Sequence, residues 1–226
     1  YYGYTTVVDA KKCKMYMKNF GEFFDNQIQY AGAIIMSRTD IASEKKVQES
    51  LELLRSLNKD AAIITTPIEN LDGKKLVEVM EHPVSLEQEM LEEEHEHHHH
   101  HDGECGCGHD HEEHEHHHHH DGECGCGHDH HHHHADEVFT SWGRETIKKF
   151  TREGLEKILE ALSESDKYGI ILRAKGMLPA EDGTWIYFDM VPEETEIREG
   201  APEYTGRLCV IGSKLNEDNL AELFGL

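Results

Sequence analysis

Apolar positions between Thr5 and Met80 fall into short β-branched runs separated by stretches of helical spacing. Thr5 to Asp9, Gly32 to Met36 and Ala61 to Thr65 read as buried strands, each a brief apolar run bounded by polar residues. Between the last two, Val47, Leu51, Leu54 and Leu57 recur at intervals of three and four, which gives a helix one apolar face. Ser43 stands where that helix needs an oxygen to accept its first free amides. A further helix is expected after Asp72, ending near Met80. Strands alternating with helices predict parallel βαβ units, so the three strands should be neighbours in one sheet.

Beyond residue 135 the pattern changes. Glu137 to Phe150 reads as one long strand, and Thr151 caps a helix whose stripe is Leu155, Ile158, Leu159 and Leu162. Gly169 to Lys175 and Thr184 to Met190 read as strands joined across Pro179 to Gly183, Gly206 to Ile211 as another, and Asn216 to Phe224 as a closing helix. This predicts a small α+β domain of about 90 residues, enough for a core of its own. With Tyr1 first and a buried strand opening at Thr5, the chain is expected to begin in mid-domain.

Between these halves lies a segment without apolar pattern. Twenty of the 21 histidines fall from His95 to His134, and the string Glu-His-Glu-His-His-His-His-His-Asp-Gly-Glu-Cys-Gly-Cys-Gly-His-Asp-His begins at Glu94 and again at Glu113. No lysine or arginine occurs from Leu76 to Gly143. Imidazole and thiolate bind zinc, nickel, cobalt and copper well, and the acidic residues around them attract cations. An expression tag is terminal and uninterrupted, whereas these tracts are internal and repeated. The cysteines argue in turn against an inert polar linker.

In the first repeat, Cys105, Cys107, His109 and His111 alternate with other residues, so a straight strand would spread them over about 20 Å. Zinc needs ligands about 2.0 to 2.3 Å away, so the chain must curl, and Gly106 and Gly108 give it the dihedral freedom. Each repeat can close a Cys₂His₂ shell, the second from Cys124, Cys126, His128 and His130. A Cys₄ site joining the repeats is the competing arrangement. Residues 83–135 hold too few apolar groups for a core, which predicts a disordered His/Cys-rich linker with a reach on the order of 40 Å.

Charge and cysteine usage narrow the partners. A formal net charge of −24 disfavours nucleic acid and anionic membranes, both of which need a positive surface. No apolar run of about 18 residues and no secretory signal is present. Four of the six cysteines form the two Cys-x-Cys pairs and Cys13 and Cys209 stand alone, which is not a disulfide framework. A cytoplasmic metal handler is the expected class.

After the second strand the chain reads Ser37-Arg38-Thr39-Asp40, which is similar to a GTPase base loop. The final carboxylate of such a loop accepts hydrogen bonds from guanine N1 and N2, a pair of donors adenine lacks. Asp40 would hold that role, and Arg38 would lie along the base face. The bland alternative is a strand-to-helix turn with Asp40 as cap. Around this loop stand Thr-Val-Val-Asp-Ala at 6–10, Gln-Ile-Gln-Tyr-Ala at 27–31, the histidine-rich insert, Phe-Thr-Ser-Trp-Gly at 139–143, Arg-Ala-Lys-Gly at 173–176 and Gly-Arg-Leu-Cys-Val-Ile-Gly at 206–212.

Together these resemble the CobW family of metal-trafficking P-loop GTPases. The resemblance implies an α/β fold: part of a P-loop NTPase parallel sheet in residues 1–82, the linker in 83–135 and a CobW C-terminal α+β domain in 136–226. It implies a GTP-dependent metallochaperone that handles zinc, cobalt or nickel, binds guanine nucleotide with Mg²⁺, and delivers metal to a client apo-protein, with a link to cobalamin synthesis and room for a homodimer. The alternatives are a passive metal buffer and a GTP-dependent signalling protein with an incidental arm. The chain departs from the family in having neither a Gly-x-x-x-x-Gly-Lys-Ser/Thr loop nor a Cys-x-Cys-Cys motif, both expected upstream. Without that cradle for the β and γ phosphates, the chain alone is not expected to hydrolyse GTP. Asp9 is read as a strand terminus, not a magnesium ligand.

Overall fold

The computed structural model describes residues 4–81, 86, 88–90 and 139–226. The first half runs β1 (Tyr4–Asp9), α1 (Cys13–Gln29), β2 (Ala31–Ser37), α2 (Glu44–Leu57), β3 (Ala62–Ile64), a 3₁₀ turn (Ile68–Asn70) and α3 (Gly73–Glu81). The strands form a sheet in the order β1-β2-β3, with both pairings parallel. Central β2 is covered on both faces, as a parallel strand flanked by helices must be. Ile34 and Met36 pack with Val8, Phe24, Ile28, Val47, Leu51 and Leu54 under α1 and α2. Ile35 meets Ile64, Leu71 and Val79 on the opposite face.

The second half runs β4 (Thr140–Thr146), α4 (Arg152–Glu164), β5 (Ile170–Pro179), β6 (Trp185–Val191), β7 (Glu194–Gly200), β8 (Gly206–Ser213) and α5 (Glu217–Phe224). Its sheet has the order β4-β8-β5-β6-β7 and is antiparallel throughout. Leu155, Leu159 and Leu162 of α4, with Leu220 and Phe224 of α5, cover one face of it, over Trp142, Ala174, Leu178, Phe188 and Val210. A Cβ at Gly176 would overlap the Phe188 ring, so this core position in β5 admits no side chain.

Several sequence expectations hold at the residue level. Ser43 caps α2, its Oγ accepting from the Lys46 amide, and Thr151 caps α4, its Oγ1 accepting from the Gly154 amide. Asn216 caps α5 in the same way. The long strand from Glu137 to Phe150 does not form: the strand is Thr140–Thr146, and Glu137 and Val138 lie outside the described residues. Past Thr146 the run divides between two cores, Ile147 packing against the first half and Phe150 entering the second. Two elements carried no clear signal. Helix α1 is broken by non-helical Gly21 (φ 38°) and leaves Phe20 and Phe23 exposed, which blurs its stripe. Edge strand β7 has Ile197 as its one large apolar residue, packed against the core, and shows no alternation. The expected linker lies outside the described residues except at 86 and 88–90, and there the expectation of no core fails: Leu86 and Met90 are buried against Cys209 and Ile211.

A polar seam joins the halves. Thr65 and Thr66, directly after β3, donate their amides to the Tyr204 carbonyl at 2.9 and 3.0 Å, and Thr65 Oγ1 donates to Thr205 Oγ1 at 2.9 Å. Thr66 Oγ1 donates to the Glu203 carbonyl. The Glu203 carboxylate is buried and meets Lys75 of α3 at 3.2 Å, Arg207 of β8 at 3.4 Å and the Tyr187 hydroxyl at 3.0 Å. Tyr204 itself packs among Ile35, Ala62 and Ile64, so the second half contributes a side chain to the first half's core. Further along, Arg55 of α2 forms a forked pair with Glu145 of β4, with contacts of 2.8 to 3.0 Å. Among the described residues no helix is long and apolar enough to cross a membrane.

Burial makes Glu203 expensive to remove, because Lys75 and Arg207 would lose the carboxylate between them. Glu203→Ala is expected to lower stability by about 3 kcal/mol, read as a drop in denaturant midpoint at constant slope. An unchanged midpoint would contradict the ion cluster's role in the seam.

Candidate nucleotide loop and metal arm

Parallel pairing positions the loop that follows β2. Asp9 is the last residue of β1 and sits in register with Ser37, the last of β2, so the two strand ends open side by side. Ser37 Oγ donates to the Val8 carbonyl at 3.3 Å, and the Ala10 amide donates to the Ser37 carbonyl at 3.0 Å. Arg38 then takes a left-handed backbone, φ 62°, and its carbonyl accepts the Ala42 amide at 3.0 Å to close the turn. Left-handed backbone in a residue other than glycine is strained and gathers at functional loops. Ser37, Arg38, Thr39 and Asp40 thus share one loop at the carboxyl ends of parallel strands, where ligands of open α/β sheets bind.

Within that loop Asp40 is exposed, and the cap of α2 is Ser43, so the carboxylate is not spent on the helix. Thr39 Oγ1 is enclosed without a hydrogen-bond partner among the described residues. Arg38 Nη1 lies 3.3 Å from Asp9 Oδ2, while Asp9 Oδ1 accepts the Lys11 amide at 2.9 Å. Asp9 is therefore more than the strand terminus read from sequence. The signal that reveals it is the pairing of two neighbouring strands, which a single strand's pattern does not contain. Directly beyond it lies a cavity of about 430 Å³ between α1 and α2, lined by Lys11, Lys14 and Lys46 and also by Glu49 and Glu52, so its charge is mixed.

The candidate metal ligands Cys105, Cys107, His109, His111, Cys124, Cys126, His128 and His130 lie outside the described residues. Among the described residues no three His, Cys, Asp or Glu side chains gather as a metal site. Cys13 and Cys209 are free and buried, and burial pushes the Cys13 thiol up to about 11, against a weaker opposing hydrogen bond with Ser50. That thiol stays protonated at neutral pH and is a poor metal ligand.

Residues 139–225 match the family described as the cobalamin synthesis protein CobW C-terminal domain. Over these residues the chain carries a CobW C-terminal domain. The chain is 23% identical over 201 residues to the zinc-regulated GTPase metalloprotein activator 1 of Schizosaccharomyces pombe, a match that covers 86% of this chain and 46% of that protein. The chain therefore spans about half the length of the curated relative it matches. Among solved structures it is similar to the Zn(II)-bound YjiA GTPase from E. coli, at 19% identity and a TM-score of 0.35, over 99% of this chain and 60% of that one. A Zn(II)-bound triple mutant of YjiA gives 19% and 0.36 over the same shares.

The exposed Asp40 carboxylate generates a test of base selection. Asp40→Asn is expected to weaken GDP about 10- to 100-fold, the loss of paired hydrogen bonds to a charged acceptor, and to improve xanthosine diphosphate, whose second carbonyl accepts from the new amide. Titrations followed through the amide signals of residues 37–42 measure both. Equal GDP affinity in the two proteins would reduce Asp40 to a turn residue.

Proposed function

We propose that this chain is the base-reading and metal-gathering portion of a CobW-family GTP-dependent metallochaperone. The carrying observation is an arm with two Cys-Gly-Cys-Gly-His-Asp-His repeats, set between a parallel-sheet loop ending in an exposed aspartate and a CobW C-terminal domain. Residues 1–82 hold guanine nucleotide through Ser37, Arg38, Thr39 and Asp40, residues 83–135 collect the ion, and residues 136–226 help recognise the client apo-protein. Zinc is the first cargo to test, since the curated relative is named as zinc-regulated and YjiA carries Zn(II). Cobalt and nickel suit the same imidazole and thiolate donors. The setting is cytoplasmic, where thiolates stay reduced.

Chemically, the division follows donor type. Thiolates of Cys105, Cys107, Cys124 and Cys126 with His109, His111, His128 and His130 form the tight sites, and the remaining imidazoles exchange metal faster. Binding deprotonates the thiols, so loading releases protons. Bound GTP, together with Mg²⁺, would supply phosphate-bond energy. The sequence contains no phosphate-loop motif, so the residues named here address only the base. One observation favours the runner-up, a passive buffer: the arm's 20 histidines far exceed what two tetrahedral shells require. Metal transfer to an apo-enzyme with and without GTP separates the two, since a buffer transfers equally in both.

A zinc titration should be biphasic, with a tight phase of two ions followed by weaker histidine binding. Changing Cys105, Cys107, Cys124 and Cys126 to serine is expected to remove only the tight phase, and survival of that phase would exclude the thiolates as ligands.

Acid should empty the arm in stages. Proton and metal compete for each imidazole lone pair, and free histidine titrates near pH about 6.5, so histidine-bound metal leaves first as pH falls. Thiolate-bound metal persists lower. Equilibrium dialysis from pH about 7.5 to 5 measures the occupancy, and a flat profile would rule out histidine as the main reservoir.

A further inference from the structure

We propose that Asp9 is a positioning residue for base recognition: it holds the Arg38 guanidinium edge-on at the mouth of the loop, so that the open guanidinium face lies against the purine read by Asp40. This rests on the reading of residues 37–40 as a guanine loop. The register of β1 and β2 puts Asp9 opposite Ser37, one residue short of Arg38, which is how an acid on one strand reaches a base on the next. Both carboxylate oxygens are engaged, Oδ1 by the Lys11 amide at 2.9 Å and Oδ2 by Arg38 Nη1 at 3.3 Å.

Exposure separates the partners' roles. The Asp9 side chain is 15% exposed and the Arg38 side chain 54%, so the carboxylate is the fixed end and the guanidinium the presented one. Left to itself, an arginine at a loop tip samples many rotamers, and a planar group must be held before it can stack. The backbone beneath it is already fixed: the left-handed Arg38 is locked by the Ala42 amide on its carbonyl and by the Ser37 hydrogen bonds to β1. Asp9 supplies the remaining constraint, on the side chain. Guanidinium stacking combined with the Asp40 acceptor defines the ligand class as a purine carrying donors at both N1 and N2.

Asp9→Asn isolates the effect, because the amide oxygen still accepts from Lys11 while the charge that holds Arg38 is lost. GDP is titrated into the intact chain and followed through the amide signals of residues 37–42. Asp9→Asn is expected to weaken GDP about threefold, the size of a half-exposed ion pair. Arg38→Gln is expected to weaken it at least as much, and the double variant no more than Arg38→Gln alone, since Asp9 acts only through Arg38. A purely structural Asp9 would instead give losses that multiply. Wild-type affinity in Asp9→Asn, or multiplying losses, overturns the proposal. Asp40→Asn runs in parallel. If it weakens GDP while Asp9→Asn does not, only the Asp9 proposal falls, whereas unchanged GDP binding in Asp40→Asn, or no response to GDP at all, removes the guanine-loop reading itself.

Discussion

The buried Glu203 carboxylate is the point on which the arrangement of this molecule turns. It takes Lys75 from α3, Arg207 from β8 and the Tyr187 hydroxyl from β6, while its own carbonyl receives Thr66 from the end of β3. Burial beside that carboxylate pushes the Tyr187 hydroxyl well above the usual tyrosine range, so it remains a donor at every physiological pH. A carboxylate with so many partners is tolerable inside a protein, and removing any one leaves charge without compensation. The seam therefore has one well-satisfied geometry and few near alternatives.

Fixing the seam also fixes the elements on either side of the histidine-rich segment. Before that segment, α3 is held to the second half by Lys75, and Leu86 and Met90 beyond it pack on Cys209 and Ile211; after it, β4 is held to the first half through Glu145 and Arg55. Both flanks are thus tied crosswise to the opposite half. Thiol chemistry is divided along the same line. The core cysteines are buried, and Cys13 is held as a thiol, whereas the arm's four cysteines stand among glycines and imidazoles.

What could be read from the sequence depended on how far apart the causes lay. Helix α2 was legible because its cap, its apolar stripe and its end are all local, and the same holds for α4 and α5. That the three strands are parallel neighbours in one sheet followed from their alternation with helices, whereas the order β1-β2-β3 did not. Helix α1 was obscured because Gly21 breaks its period, and β7 because an edge strand need not alternate. Ile147 and Phe150 misled for a different reason: two apolar residues three apart looked like one strand, yet each serves a different core. For the candidate site, Ser37 to Asp40 were legible as a motif, whereas the partnership of Asp9 with Arg38 exists only once two strands are in register. No local pattern announces Glu203.

Register has a further consequence for communication between the parts. Because β1, β2 and β3 are parallel, Asp9, Ser37 and Thr65 all emerge at the same edge of one sheet. The first two shape the candidate base loop, and Thr65 opens the hydrogen bonds to Tyr204 and Thr205. Neighbouring strands lie about 4.8 Å apart, so the loop after β2 and the seam after β3 are one strand spacing from each other. Close-packed β2, with its apolar side chains buried between two cores, does not absorb strain by local slippage. A ligand that shifts the end of β2 must therefore move β3 with it or break the ladder between them, and β3 ends on the residues that hold α3. The path from the candidate base loop to α3 is two strands and one seam, joined by hydrogen bonds and the Glu203 ion pairs.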